Sequence, residues 1–388
     1  MLLLSCAAEG FRNLTSQTVA LSPGTTVLAG PNGQGKTNFL EACYLLATLR
    51  PLRAQKLSEL VRFGAEAAKV VGRFALPGGE REVEVAIESG KRAARLDGKP
   101  IRDPTELFGG LAVVAFAPDD LAILRGGPEG RRKLLDRAVQ NRHPDHLADA
   151  RDYLRALKSR NQLLRDRASP ALVLAFDAPL ARVGARLRLR RETLLDELGP
   201  HAARAFAEVA RGDGTLLLRY DAAGRESNDL GEAASQEARK KGERALEERL
   251  LAALQGRLVR DRERGFTSVG PHADDLAISI ADKPARSFAS QGQARAVILA
   301  FKIGEIENLK AAQGRAPLLL LDDVSSELDP ERNAFLMTYL RSLAGQVVLT
   351  TTDPRLVAAA AGGKEAATFY AVAGGSITQV AAPQIRRV

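Results

Sequence analysis

The stretch Gly30-Pro31-Asn32-Gly33-Gln34-Gly35-Lys36-Thr37 constrains this 388-residue chain more than any other. It matches G-x-x-x-x-G-K-[ST], a loop that wraps a phosphate. Before it, Thr25–Ala29 is a short, β-leaning apolar run that follows Pro23-Gly24. After it, Phe39, Leu40, Ala42, Cys43 and Leu46 recur at helical spacing. Strand, glycine turn and helix in that order call for an α/β fold with the positive end of a helix aimed at an anion. The glycines let backbone N–H groups turn inward around a β-phosphate, where a Cβ would clash. Lys36 supplies a point charge to the β- and γ-phosphates, and the Thr37 hydroxyl is a ligand for Mg²⁺.

A nucleotide site needs a second, acidic half, and the sequence offers one far downstream. Pro317-Leu318-Leu319-Leu320-Leu321 is a continuous apolar run ending in Asp322-Asp323. A central strand of a parallel sheet, buried on both faces, reads this way, and ligands sit at its C-terminal end. Asp322 is expected to hold Mg²⁺ through its water shell, and Asp323 to orient or activate an attacking water. Compact P-loop kinases and GTPases close such a site within about 100–200 residues. Here a long insertion lies between the halves, an arrangement that resembles the layout of the ABC-type ATPases of chromosome maintenance.

The insertion has its own character. Up to Phe116 the chain is α/β material, with strands expected at Leu2–Ser5, Ala68–Phe74, Glu82–Ile87 and Val113–Phe116, and a hairpin turn at Asp97-Gly98. From about residue 121 β signal fades. Leu147, Ala150, Leu154, Leu157, Asn161 and Leu164 form a heptad seam. Ser169-Pro170 breaks that helix, and a second begins near Pro179, with Arg182, Arg186, Arg188, Arg190 and Arg191 around its apolar face. Those arginines are either a solvated face or a DNA-contacting surface. Thr215–Tyr220 reads as a strand, Glu237–Val259 as a charged helix, and strand character resumes near Thr267. The expected organisation is a split head, 1–120 with 265–388, interrupted by a mainly helical arm, 121–264.

Composition bounds the partners. Fifty-six basic against 47 acidic residues give a net charge of +9, so polyanions come first. Cys6 and Cys43 fit neither a disulfide framework nor a metal-ligand spacing. No apolar run is long enough to span a bilayer. The opening MLLLSC lacks the basic flank and length of a signal segment, and the chain is expected in the cytoplasm.

Just before an apolar helix expected from Ala294 comes Ser287-Phe288-Ala289-Ser290-Gln291-Gly292-Gln293. By itself it reads as a helix cap. Alongside the two nucleotide-binding halves it resembles the ABC signature, and Ser325-Ser326-Glu327-Leu328-Asp329 takes the place of the D-loop. Gly10–Leu14, Phe39–Ala42, Pro118–Leu121, Gly126–Pro128, Arg131-Arg132, Gly270–His272, Asp274–Leu276 and Thr350–Thr352 complete a set in family order. Together these residues resemble RecF, the family of recombination-repair ATPases, over almost the whole chain. Ala273 and Ala294 depart from the family pattern. A threonine run stands where many ABC ATPases carry a switch histidine. His272 reads as structural or signalling, and His143, His146 and His201 as solvated or capping residues of the arm.

The resemblance implies a mixed-sheet ABC-type head that binds ATP and Mg²⁺. Gly30 through Asn38 would surround the phosphates, with Lys36 and Asp323 catalytic and Thr37 and Asp322 on the metal. Ser290 would be catalytic in trans as the signature serine and, with Gln291, Gly292, Gln293, Ser326 and Asp329, would reach the nucleotide of a second copy. It further implies an ATP-closed homodimer on duplex DNA and single-strand/duplex junctions, slow hydrolysis that releases DNA, and action with RecR, RecO and RecA away from any membrane. A transporter nucleotide-binding subunit would share the chemistry but not the signature, the missing histidine or the arm. A small-molecule kinase leaves Ser290–Gln293 unexplained, and a passive DNA scaffold has no need of both Asp322 and Asp323.

Overall fold

The computed structural model describes residues 2–54, 56–76, 78–101, 112–210, 214–223, 242–343, 345–355, 357 and 367–382. The chain forms two compact units: Met1–Ala122 with Glu208–Arg211 and Gln291–Val388, and Ile123–Ala207 with Gly212–Ser290.

The first unit opens with β1 (Leu2–Glu9), β2 (Gln17–Ala20), β3 (Thr25–Ala29) and α1 (Lys36–Thr48). A 3₁₀ turn, Leu57–Leu60, leads to β4 (Ala67–Leu76), β5 (Gly79–Glu88), β6 (Lys91–Leu96), β7 (Lys99–Pro100) and β8 (Val113–Phe116). An antiparallel sheet runs β2-β1-β4-β5-β6-β7. Its strands alternate: Val70, Phe74, Val83, Val85 and Ile87 face the core, while Lys69 pairs across strands with Glu84 at 2.7 Å and Arg73 with Glu80 at 2.9 Å. Asp97 and Gly98, both at positive φ (49° and 77°), make the two-residue turn expected between β6 and β7.

The second unit holds α3 (Pro128–Arg142), α4 (His146–Arg165), α5 (Pro170–Leu174), most of α6 (Asp177–Ala210), β9 (Leu216–Asp221), α7 (Glu243–Gly256), α8 (Leu258–Arg264), β10 (Asp275–Ile280), β11 (Lys283–Pro284) and α9 (Ala285–Phe288); α2 (Asp120–Arg125) precedes them. It ends at Ser290, where composition drew the boundary at 264, because β10 pairs antiparallel with β9. The strand expected near Thr267 starts only at Asp275, and the helix expected from Glu237 starts at Glu243, with 237–241 outside the described residues.

The seam of α4 differs from the expected one by a residue. Leu154 is exposed, and the buried face is His146, Tyr153, Leu157, Arg160 and Leu164. Each polar member of that face has a partner: Asp136 for His146 (2.9 Å), His272 for Tyr153 (2.7 Å), Asp177 and Asp261 for Arg160 (2.8 and 3.0 Å). A leucine seam was the natural reading of the sequence, but paired polar groups bury as well. His146 is therefore neither solvated nor a cap.

The arginines of α6 are similarly engaged inside their own unit. Arg188 bonds Asp274 through two nitrogens (2.8 and 2.7 Å), and Arg191 bonds Asp136 in the same way (2.8 and 2.9 Å). Arg186 and Arg190 share Asp149, and Arg182 lies 3.6 Å from Glu247. The surface expected to be solvated or to meet DNA is thus largely an internal ion-pair lattice. Burial pushes the Asp136 carboxyl up, but the Arg191 charge and hydrogen bonds from His146 and Arg191 together hold it far below the usual range.

The chain returns to the first unit with α10 (Gln291–Gln313), β12 (Leu318–Leu321), α11 (Val324–Glu327), α12 (Pro330–Ser342), β13 (Val347–Thr351), β14 (Ala367–Ala373) and β15 (Ser376–Val380). The helix expected from Ala294 begins at Gln291. A second sheet runs β15-β14-β3-β13-β12-β8, parallel except for β15. β12 lies between β13 and β8 with all four leucines buried, which is why its sequence does not alternate. One core joins both sheets to α1: Leu40, Cys43 and Leu46 meet Cys6, Val70 and Phe74 from one sheet and Leu28, Leu318 and Val348 from the other. Both cysteines are free, and burial, with the hydrogen bond that the Cys43 thiol donates to Cys6, raises the Cys43 thiol well above its ordinary value, which keeps it in the unreactive protonated form.

Candidate nucleotide-binding site

The parallel sheet brings the C-terminal ends of β3 and β12 together, separated only by β13. Gly30 continues from β3, its N–H donating to the Thr351 carbonyl of β13 at 3.3 Å, and a Cβ on it would overlap the Val372 carbonyl of β14. Gly33 and Gly35 take φ of 79° and 113°, which side chains other than glycine adopt at a penalty. The chain then enters α1 at Lys36, so the helix N-terminus faces a cleft of about 330 Å³. Asn32, Gly33, Gly35, Lys36, Thr37 and Asn38 line it on one side and Asp322 and Asp323 on the other.

Lys36 is 5% exposed. Its Nζ donates to the carbonyls of Gly30 (2.6 Å) and Pro31 (2.9 Å) and to Asn32 Oδ1 (3.4 Å), so the cation is folded onto its own loop. Burial lowers its pKa, and the carboxylates of Asp323 and Asp322 pull the other way. Thr37 Oγ1 donates to Asp322 Oδ1 at 2.7 Å, across 285 residues of sequence. Asp322 is 2% exposed and also accepts from Thr350 Oγ1 at 3.0 Å.

Asp323 follows in a left-handed backbone conformation, φ 47° and ψ 32°. Its N–H donates to Thr350 Oγ1 at 2.9 Å, while its buried Oδ1 accepts no hydrogen bond. A carboxylate oxygen left open beside a phosphate loop is suited to receive a proton of a bound molecule.

Gln291, Gly292, Gln293, Ser326 and Asp329 do not line this cleft. Ser290 immediately precedes α10. Gly292, in the first turn of α10, lies against the Arg332 guanidinium. Asp329 caps α12 by accepting from the Arg332 N–H at 3.0 Å, and also pairs with the Arg332 side chain. That backbone bond first, then the side-chain bond and charge of Arg332, hold the Asp329 carboxyl below its ordinary value. Ser326 Oγ donates to the Asp323 carbonyl at 2.8 Å. Gly292 and Asp329 thus meet through one arginine, Arg332, and neither lines the phosphate-loop cleft.

Three further contributors complete the site: Arg53 is absent from the sequence reading, and Glu41 and Thr350 enter it only as members of the family set. Arg53 lines the cleft, 3.5 Å from Asp322 and 3.4 Å from Asp119. Glu41, 1% exposed, pairs with Arg12 at 2.7 Å and accepts from the Arg53 N–H at 3.0 Å, which fixes the loop that presents Arg53. Thr350 bridges both aspartates. An arginine in a polar loop gives no local signal; Glu41 inside an apolar helix does. His272 has its expected structural character: Nε2 donates to the Thr267 carbonyl (2.9 Å), Nδ1 accepts from Tyr153 Oη (2.7 Å), and burial lowers its pKa.

Residues 3–376 match the family model described as RecF/RecN/SMC N terminal domain. The chain is 52% identical to a DNA replication and repair protein RecF of Anaeromyxobacter sp. (strain Fw109-5), covering 97% of this chain and 99% of that protein. To the protein of the same name in Geobacter sulfurreducens it is 39% identical, over 91% and 93%. Among solved structures, the recombination mediator protein RecF-ATPrS of the RecFOR pathway superposes with a TM-score of 0.85 at 30% identity, covering 98% of each chain. An SMC head bound to the C-winged helix domain of ScpA shares the fold, with a TM-score of 0.54 at 15% identity over 98% and 97%. Among the described residues no helix is long and apolar enough to cross a membrane. With an ABC-type head, a two-sided nucleotide cleft and kinship along nearly its full length, the chain belongs to the RecF family within the RecF/RecN/SMC group.

Proposed function

We propose that the chain is an ATP-dependent DNA-binding clamp of recombinational repair, and a weak DNA-dependent ATPase. The observation that carries this reading is the Thr37–Asp322 hydrogen bond, which joins the phosphate loop to the acidic strand end. Kinship to proteins named for DNA replication and repair, and to structures named RecF-ATPrS and RecF-ATP, supports ATP as the nucleotide and DNA as the partner.

In this mechanism the N–H groups of Gly30 through Asn38 and the start of α1 receive the phosphates. Lys36 leaves the Gly30 and Pro31 carbonyls for the β- and γ-phosphates. Thr37 Oγ1 and Asp322 Oδ1 are hard oxygens 2.7 Å apart, a donor pair that fits Mg²⁺. Mg²⁺ bound there would neutralise charge developing on the phosphate oxygens. Asp323 accepts a hydrogen bond from the attacking water at its open Oδ1 and orients it toward the γ-phosphate. Ser290, with Gln291, Gly292, Gln293, Ser326 and Asp329, reaches the nucleotide held by a second copy, so ATP closes a homodimer and hydrolysis opens it. Their separation from the cleft of their own chain is consistent with a role in trans.

The closed dimer holds duplex DNA beside single-stranded gaps through phosphate contacts, without sequence preference. The inward arginines Arg188 and Arg191 take no part. RecR, RecO and RecA are its partners in this reading, and the cytoplasm its location. The experiment compares ATP-dependent dimerisation and hydrolysis in three proteins. The wild type should dimerise with ATP; Asp323→Asn should dimerise but hydrolyse poorly; Ser290→Arg should bind ATP as a monomer. Normal dimerisation of Ser290→Arg would refute the role in trans.

A further inference from the structure

Two elements outside the phosphate loop and the acidic strand end grip the loop at its crown. Asn13, between β1 and β2, donates from Nδ2 to the Gly33 carbonyl (3.2 Å) and accepts at Oδ1 from Asn38 Nδ2 (2.7 Å). One side-chain amide therefore ties the crown to the first turn of α1. The β14–β15 turn, Gly374-Gly375, acts one residue further on. The Gly375 N–H donates to the Gln34 carbonyl (2.9 Å), and the Gly374 N–H to Gln34 Oε1 (2.7 Å).

The two grips are joined to each other. The Gly375 carbonyl accepts from the Thr15 N–H (3.0 Å), the Thr15 hydroxyl (3.2 Å) and Gln17 Nε2 (3.2 Å), and Gln17 Oε1 accepts from the Ile377 N–H (3.1 Å). Gly375 sits at φ 83°, and a Cβ there would overlap the Asn13 carbonyl.

What these bonds hold matters for phosphate binding. In a trans peptide the N–H points opposite to the carbonyl. A donor fixed on the Gly33 carbonyl therefore fixes the direction of the Gln34 N–H, and one on the Gln34 carbonyl that of the Gly35 N–H. With Gly33 and Gly35 on either side, this segment is otherwise free to rotate its peptide planes. We propose that Asn13 and the Gly374-Gly375 turn are positioning residues for the nucleotide: they preset the Gln34 and Gly35 N–H groups so that phosphate meets an organised loop. Preorganisation acts on affinity, because the ordering is complete before the ligand arrives. The chemical step, assigned to Asp323, is untouched. The inference rests on the ATP reading of this site.

The test uses the full chain and N-methylanthraniloyl-ATP as the probe, with steady-state hydrolysis of ATP and a thermal melt alongside. Asn13→Ala is expected to raise Kd and KM about tenfold, equivalent to about 1.4 kcal/mol, with kcat at saturating ATP within about twofold and the melt retained. Gly375→Ala is expected to weaken binding further; if it does not fold, Asn13→Ala decides alone. A lower kcat at unchanged KM marks a general loss of active protein and overturns the proposal. So does unchanged affinity in Asn13→Ala when the wild type binds the probe, and the ATP reading then stands. A wild type that binds no probe overturns both.

Discussion

Replacing Thr350 by valine keeps the shape of the side chain and removes one hydroxyl, so it isolates what that hydroxyl does. Thr350 Oγ1 donates to Asp322 at 3.0 Å and accepts from the Asp323 N–H at 2.9 Å. Asp323 occupies the left-handed region, at a conformational cost of roughly 1–2 kcal/mol. Valine strands the half-buried Asp323 N–H, a further penalty of about 1–3 kcal/mol. Together these favour relaxation of Asp323 toward the right-handed region, which swings its carboxylate away from the cleft. If about 1.4–2.7 kcal/mol of this appears in the transition state, hydrolysis falls about ten- to hundredfold. ATP affinity should change by no more than about threefold, because Lys36 and the loop N–H groups are untouched. Thr350→Ser keeps the hydroxyl and should restore most of the rate. Single-turnover hydrolysis, with Kd measured on the same samples, reads both quantities. A valine variant that hydrolyses at the wild-type rate, or a serine variant as slow as valine, would show that the Thr350 hydroxyl does not hold Asp323 in place.

Lys36→Ala should abolish nucleotide binding, measured by titration; retained affinity would remove the loop assignment. In the wild type, burial makes Lys36 shed its proton below the ordinary lysine value of about 10.4. The protonated form binds phosphate, so ATP affinity should decline as pH rises toward that value, earlier than a solvated lysine would allow. In the second unit, Arg160→Met removes the guanidinium between Asp177 and Asp261, all three buried, and should destabilise that unit by about 3–5 kcal/mol. Part of the loss should return in acid, because burial has already raised the Asp177 pKa and a protonated Asp177 needs no cation. A shift of the denaturant midpoint equivalent to less than about 1 kcal/mol would contradict the desolvation argument.

The parts of the site that were legible in the sequence are those whose function fixes a local pattern. A phosphate loop needs glycines, lysine and threonine at set offsets, and a strand buried on both faces needs unbroken apolar residues before its acids. Residues whose role depends on a distant partner gave no such pattern. Tyr153 and Arg160 lie outside the expected seam of α4, yet they are buried because His272 and Asp261 arrive from far along the chain and Asp177 from the start of α6. Arg188 and Arg191 read as surface charge, and Asp274 and Asp136 draw them inside. Asn13 and Gly375 are ordinary turn residues until the sheets bring them to the loop. For the same reason the second unit ran past its compositional edge: β10 belongs with β9 by pairing, which composition does not record.

Coupling between the nucleotide site and DNA is read most directly by steady-state ATP hydrolysis with and without duplex DNA, at low and then at moderate salt. A DNA-coupled clamp should show a slow basal rate that rises with DNA and loses that rise as salt screens phosphate contacts. A rate indifferent to DNA at every salt concentration would leave the nucleotide site standing and contradict the DNA clamp.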